Sequence, residues 1–199
     1  MLCGNVSGDV VQWTNAIADL IPDDDLIVTV ETIATLSILK KHVLSLEASM
    51  DATTDRTGAS KLLDMAARFM PERTIIGNVS GHEVFPALHL MSGGQNGVIL
   101  TTFANDRREA LARLEVLSLL SRPDLPLHAI RFLIANSIDI VIVVSRLEDG
   151  SQRIMSITDV VGMEGDSVVF RDIFTFVRTG QEEPGIQETL SRFNLKGER

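Results

Sequence analysis

A chain of 199 residues, 45% of them hydrophobic, holds enough apolar material for one full core and asks for no second domain. Its 27 acidic side chains against 18 basic ones leave a net charge of −9, which argues against a general attraction to nucleic acid or an anionic lipid surface. Cys3 stands alone, so an internal disulfide is excluded and a reducing compartment fits; no cationic leader precedes an apolar stretch, and the run Ile140 to Val144 is far too short to span a bilayer.

Val10 to Ile21 repeats apolar residues at helical spacing and stops at Pro22 and the turn Asp23-Asp24-Asp25; the β-branched run Leu26 to Val30 then predicts a buried strand. Val43 to Leu46 is a second strand, followed by a polar stretch from Asp51 to Ser60 and a helix from Lys61 to Met70 ended by Pro71. Thr74 to Ile76 is a strand, His82 to Met91 a helix despite Pro86, and Val98 to Thr102 another strand. Arg107 to Leu120 is a helix capped by Asn105 or Asp106, with Leu111, Leu114 and Leu117 on one stripe. This alternation predicts an α/β fold with a mostly parallel sheet. After a helix from Leu127 to Asn136 the pattern changes: Ile138 to Val144 leads through the hairpin turn Asp149-Gly150 into Arg153 to Val160. A turn over Gly162 to Asp166 and strands at Val168 to Phe170 and Ile173 to Phe176 complete an antiparallel meander. The domain is read as residues 1–178, with a polar tail over 179–199.

Two glycine-rich turns of identical sequence, GNVSG, lie at Gly4 to Gly8 and Gly77 to Gly81. The first, running Cys3-Gly4-Asn5-Val6-Ser7-Gly8-Asp9-Val10 into a helix, keeps the outline of the phosphate loop G-x-x-x-x-G-K-[ST] with the informative letters replaced. His82 and His89, seven residues apart, do not match a zinc pair; Cys3 has no sequence partner for nucleophilic work; Met65, Met70 and Met91 read as core filler.

The run Glu72 to Gly81, then Gly94 to Asn105, Arg108 to Glu115, Leu125 to Arg131, Ser137 to Asp139, Ser145 to Leu147, Asp149-Gly150 and Val161 to Asp166 resembles the type II/type IV secretion ATPases. The nearest branch looks like the motor of tight-adherence (Flp-type) pili, and the resemblance covers residues 3 to 178. It implies a RecA-like P-loop NTPase fold working with ATP and Mg in a ring at the cytoplasmic side of a secretion or pilus machine. The family's N-terminal domain is absent from the sequence given.

Set against that family's motifs, the chemistry is missing. Where its phosphate loop resembles GGTGSGKTT, the Lys and metal-binding hydroxyl positions are Asp9 and Val10, and Cys3 and Val6 replace glycines. Gly4, Ser7 and Gly8 keep only the capacity of a strand-to-helix turn to hold an anion. The second GNVSG aligns with GEVRG, so Asn78 replaces the water-activating Glu and Ser80 the Arg. In the histidine box, GHDGSLTTIHAN in the family, Gln95 and Phe103 hold the two histidine positions. In the acidic box, resembling IEDTAEL, Glu31 is kept and Thr32 and Thr35 replace acids; the Arg of a nearby LExR pattern is Ser49. Glu31 is either a functional remnant or a solvated strand-end carboxylate.

The resemblance and its losses together imply a non-catalytic, pseudo-ATPase subunit, structural or regulatory, with no cofactor expected. Its expected partners are further copies, an intact secretion ATPase and inner-membrane platform proteins, with no nucleic acid and no membrane insertion of its own. Its location is then cytoplasmic, peripheral to the inner membrane through those partners. Two alternatives stay open: a weak or unorthodox ATPase, and an isolated domain remnant. Arg108, Arg113 and Arg131 are the interface candidates; with Arg68, Arg73, Asp139 and Arg146 they are either internal supports or groups presented to a neighbouring subunit.

Overall fold

The computed structural model describes residues 1–48 and 58–177. Eight strands form one sheet in the order β3-β2-β4-β5-β1-β6-β7-β8. The strands are β1 (Leu2–Gly4), β2 (Ile27–Glu31), β3 (Val43–Glu47), β4 (Arg73–Gly77), β5 (Val98–Phe103), β6 (Ile140–Arg146), β7 (Gln152–Glu164) and β8 (Ser167–Thr175). The helices are α1 (Ser7–Ala18), α2 (Gly58–Arg68), α3 (Val84–Ser92), α4 (Arg107–Ser121) and α5 (Leu127–Ser137). From β3 to β6 every pairing is parallel, and β6, β7 and β8 pair antiparallel, so the mostly parallel sheet and the C-terminal meander are both present.

Strand periodicity explains the layers. Successive side chains of a strand point to opposite faces, and here both faces are covered. Leu2, Ile27, Ile75 and Val144 pack on one side with Val10, Trp13, Ile17 and Ala18 of α1. Their chain neighbours Cys3, Val28, Ile76 and Val143 pack on the other with Leu63 of α2, Leu88 of α3, Leu111 and Leu114 of α4, and Ile130 of α5. Such strands read as apolar runs rather than alternations, which is why they were legible as buried. Pro86 is the third residue of α3, where its missing N–H costs no intrahelical bond. Asp106 caps α4, accepting from Arg108 N and Glu109 N at 2.7 and 2.9 Å.

Several boundaries differ from expectation, each for a local reason. The central strand β1 is only three residues long and carries no periodic signal. α1 starts at Ser7 rather than Val10, because extended Val6 (φ −120°, ψ 123°) offers its carbonyl to Asp9 N at 3.1 Å and Val10 N at 3.2 Å. It ends at Ala18, short of Ile21. α3 begins at Val84, so His82 lies outside it, and His89 stacks on Phe85 with centroids 6.4 Å apart. Met70 is not core: it closes α2 with φ 49° and is 83% exposed, and Met65 is half-exposed. Gly162 is not in a turn; at φ 138° it is a bulge in β7, and the turn is Gly165-Asp166 with Gly165 at φ 59°. The interruption read between Phe170 and Ile173 is likewise a register shift within the continuous β8. Ser49, most of the polar stretch from Asp51, and the tail from Arg178 lie outside the described residues. Among the described residues, no helix is long and apolar enough to cross a membrane.

Gly4 illustrates how tightly β1 is wedged between β5 and β6. A Cβ there would stand 2.8 Å from both the carbonyl oxygen and Cγ2 of Val144, and backbone cannot yield as a side-chain tip can. Gly4→Ala should therefore destabilise the chain by about 1–3 kcal/mol in chemical denaturation, whereas Gly8→Ala, with nothing within 4 Å, should cost less.

Candidate functional site

Parallel strands end on one edge, where such sheets bind ligands. The C-terminal ends of β1, β2, β4 and β5 come level there: Gly4 pairs with Phe103, and Glu31 with Gly77. Both GNVSG turns leave from this edge, but their strands are not neighbours as the sequence suggested. β5 lies between β4 and β1 and links the two turns. Thr101 carries the link: its hydroxyl accepts from Asn78 N at 2.7 Å and its carbonyl from Val79 N at 2.9 Å, while Ala104 N bonds Gly4 O at 3.1 Å.

At the first turn, no residue from Cys3 to Asp9 adopts a positive φ, so the backbone forms no αR-αL nest of the kind that cradles phosphate. Gly4 is accounted for by packing, and Gly8 sits in the first turn of α1. Asp9 is fully buried and turned towards β6. Arg146 donates to both of its oxygens, Nη2 to Oδ1 at 2.5 Å and Nε to Oδ2 at 3.3 Å. Gln152 Nε2 adds a bond to Asp9 Oδ1 at 2.8 Å and another to Gln12 Oε1 at 2.5 Å. The carboxylate beside it holds the Arg146 guanidinium above its ordinary range. Val10 instead lines a recessed cavity shared with Asn78 and Phe103.

Asn78 sits at φ 52°, a conformation Asn tolerates, and its side-chain Oδ1 is buried without a partner. Glu31 is not solvated: it is 4% exposed, and its Oε1 accepts from Thr35 N at 2.9 Å, Thr35 Oγ1 at 2.7 Å and Leu36 N at 3.2 Å. Gly77 is required beside it, since a Cβ would stand 2.8 Å from Glu31 Cγ. Gln95 and Phe103 are at opposite ends of β5; Gln95 bonds Thr74 Oγ1 at 2.8 Å, away from the cavity. Burial pushes the Cys3 thiol up to about 12, so it is protonated and unreactive at neutral pH.

The three candidate interface arginines do not act alike. Arg108 and Arg131 line one cleft of about 470 Å³ between α4, α5 and the β7–β8 turn. Arg131 is an internal support: it grips Glu115 with Nε and Nη2 at 2.8 and 3.2 Å and donates Nη1 to Asp166 O at 2.9 Å. Arg113 does not line that cleft, and its Nε is buried without a partner. Arg73 and Arg146 are internal supports too, the former 3.2 Å from Asp25.

Sequence reading missed the partners, Arg146 and Gln152, which lie more than 130 positions from Asp9. An Asp in a first helical turn beside a valine pair was the only local hint of a buried charge. The pair predicts a charge-reversal test. Asp9→Lys, which restores the family's letter, should lower the melting temperature by roughly 5 °C or more, because it sets a buried cation against Arg146. Adding Arg146→Asp should recover most of the loss.

No protein-family model matches the chain. It is 31% identical over 152 residues to the type IV secretion system protein PtlH of Bordetella pertussis, covering 73% of this chain and 44% of that one. It is 28% identical over 154 residues to the type IV secretion system protein VirB11 of Bartonella henselae, covering 74% and 42%. The chain thus spans less than half the length of these relatives. The VirB11 ATPase of the Brucella suis type IV secretion system, solved with sulphate, superposes with a TM-score of 0.67 at 22% identity, over 78% of this chain and 48% of that one. The fold is RecA-like, and with these relatives the chain belongs to the type II/type IV secretion ATPase family.

Proposed function

We propose that this chain is a non-catalytic member of its family, a structural or regulatory subunit of a secretion or tight-adherence pilus motor that binds neither ATP nor Mg. The observation that carries this reading is the buried Asp9 facing Arg146 where the family has its phosphate-binding Lys. A Lys–phosphate contact at ~4 Å and an effective dielectric of ~20 is worth about 4 kcal/mol of Coulomb energy before desolvation; an Asp reverses its sign. Val10 has no oxygen for a metal, and neutral Asn78 cannot take a proton from water. Glu31 would have to release Thr35 and Leu36 before serving as a base, which weakens the case for an unorthodox ATPase.

A domain of this kind works through its contacts, in the cytoplasm and against the inner membrane through partners: further copies, an intact secretion ATPase, or platform proteins. Arg113 is the interface position to test first, because its guanidinium carries a buried Nε with no bond among the described residues. Arg113→Glu should reduce co-purification with an intact secretion ATPase from the same source by about tenfold while leaving the circular dichroism unchanged. A strictly monomeric chain with no motor or platform protein attached would sink the partner reading.

Calorimetry decides the catalytic side. Titration of the purified chain with Mg-ATP should give no saturable heat, and phosphate release should equal the protein-free rate. Steady turnover that disappears in Glu31→Ala would establish an enzyme instead.

A further inference from the structure

The substitutions that remove phosphate chemistry converge in space. Val10 and Val11 stand where the motif GGTGSGKTT ends in two Thr, Ile33 where IEDTAEL has Thr, and Phe103 where the histidine box has its second His. They come from α1, the segment after β2 and the end of β5, yet all four line the same cavity of about 160 Å³, with Leu36 and Asn78 beside them. None of its lining residues carries a charge. Asp9 faces Arg146 and Glu31 is held by Thr35 and Leu36, so the nearby carboxylates are already occupied. Ile33, 59% exposed, carries the apolar wall out to the surface.

One polar group in this wall is left over. Thr14 Oγ1 bonds Val10 O, Thr35 Oγ1 bonds Glu31, and Thr101 Oγ1 accepts from Asn78 N, but Asn78 Oδ1 is buried and accepts nothing. A buried acceptor without a donor is a standing cost that a ligand N–H removes. The space is too small for a nucleotide, since drug-sized pockets begin at ~300 Å³. It is on the order of five water volumes, which suits one branched aliphatic side chain. A side chain and an N–H held on one unit describe an amino-acid residue of a polypeptide. An uncharged residue also matches the lining, whereas an acidic one would meet a chain of net charge −9.

Resting on the reading that this edge no longer takes nucleotide, we infer that the cavity is a socket for one leucine-sized side chain of a partner polypeptide, whose main-chain N–H bonds Asn78 Oδ1. The phosphate end of the fold is thereby turned into a protein-recognition site.

The test is methyl-detected NMR of the full chain titrated with N-acetyl-leucinamide, N-acetyl-alaninamide, 3-methyl-1-butanol and, separately, Mg-ATP. N-acetyl-leucinamide should shift the Val10, Val11 and Ile33 methyls saturably. The alanine analogue, lacking the branched body, should bind at least about tenfold more weakly, and the alcohol, lacking the amide, several-fold more weakly. Ile33→Asp, at an exposed position that the fold tolerates, should weaken N-acetyl-leucinamide by about tenfold; Val11→Trp, which fills the cavity, should abolish its binding. Absence of saturable shifts, equal binding of the alanine analogue or the alcohol, or unchanged binding in Ile33→Asp overturns the inference. The Mg-ATP arm separates the two readings. If neither Mg-ATP nor N-acetyl-leucinamide binds, the socket alone falls; if both bind, the non-catalytic reading falls and the socket stands.

Discussion

A carboxylate with no exposure to water must be neutralised where it lies, and the pairing of Asp9 with Arg146 is the constraint on which this edge depends. Asp9 belongs to the first turn of α1, where the helix dipole favours an anion. In a nucleotide-binding relative of this fold that attraction is available to a phosphate. Here the chain provides its own anion, and a guanidinium from β6 and an amide from β7 complete its bonds. The pair therefore does two things at once: it ties α1 to the start of the antiparallel meander and it occupies the electrostatic feature that would draw a phosphate.

The same device recurs along the edge. Glu83, 7% exposed, accepts from Ser80 N at 2.7 Å and Gly81 N at 3.0 Å, so the second GNVSG turn already has a carboxylate against its amides. Glu31 does this for Thr35 and Leu36, and Glu109 for Asn105 N at 2.8 Å. Main-chain N–H groups that face outward at strand ends are the usual anion donors of such sheets, and internal acids use them here. Part of the chain's acidic excess is thus spent on its own backbone. The acids reach further, too: after burial itself, Asp106 and Glu109 help to hold the Cys3 thiol protonated, although the nearby N-terminal charge acts the other way.

What could be read in the sequence follows from the range of each interaction. α4 was readable nearly to the residue because its cap, Asp106, and its apolar stripe are local signals. β2, β4 and β5 were readable because strands buried on both faces become short β-branched runs. β1 was not, since three residues hold no period and its place between β5 and β6 is a property of the whole sheet. A bulge at Gly162 and a turn at Gly165 look alike in sequence, since both are glycines with positive φ; only the partner strand distinguishes them. Within the site, the identity of the replaced letters was legible and their fates were not. Asp9 and Glu31 were both visible as carboxylates, yet whether each faces a cavity, solvent or a partner depends on residues elsewhere, Arg146 in one case and the segment at Thr35 in the other.

The two-faced core explains why the architecture survives such changes. Leu2, Ile27, Ile75 and Val144 on one side, and Cys3, Val28, Ile76 and Val143 on the other, bury the sheet without help from any residue of the phosphate edge except Val10. At that position a β-branched hydrocarbon contributes more to packing than a hydroxyl held for a metal, because it brings no polar group that needs a partner. Catalytic letters of a site are commonly held against the preference of their surroundings. Here the direction of change at Val10, Ile33 and Phe103 is towards that preference: a surface built to be wet and charged becomes apolar while the strands beneath it keep their register. The edge has therefore exchanged affinity for phosphate for affinity for hydrocarbon, and what it binds is decided by shape and apolar contact rather than by charge.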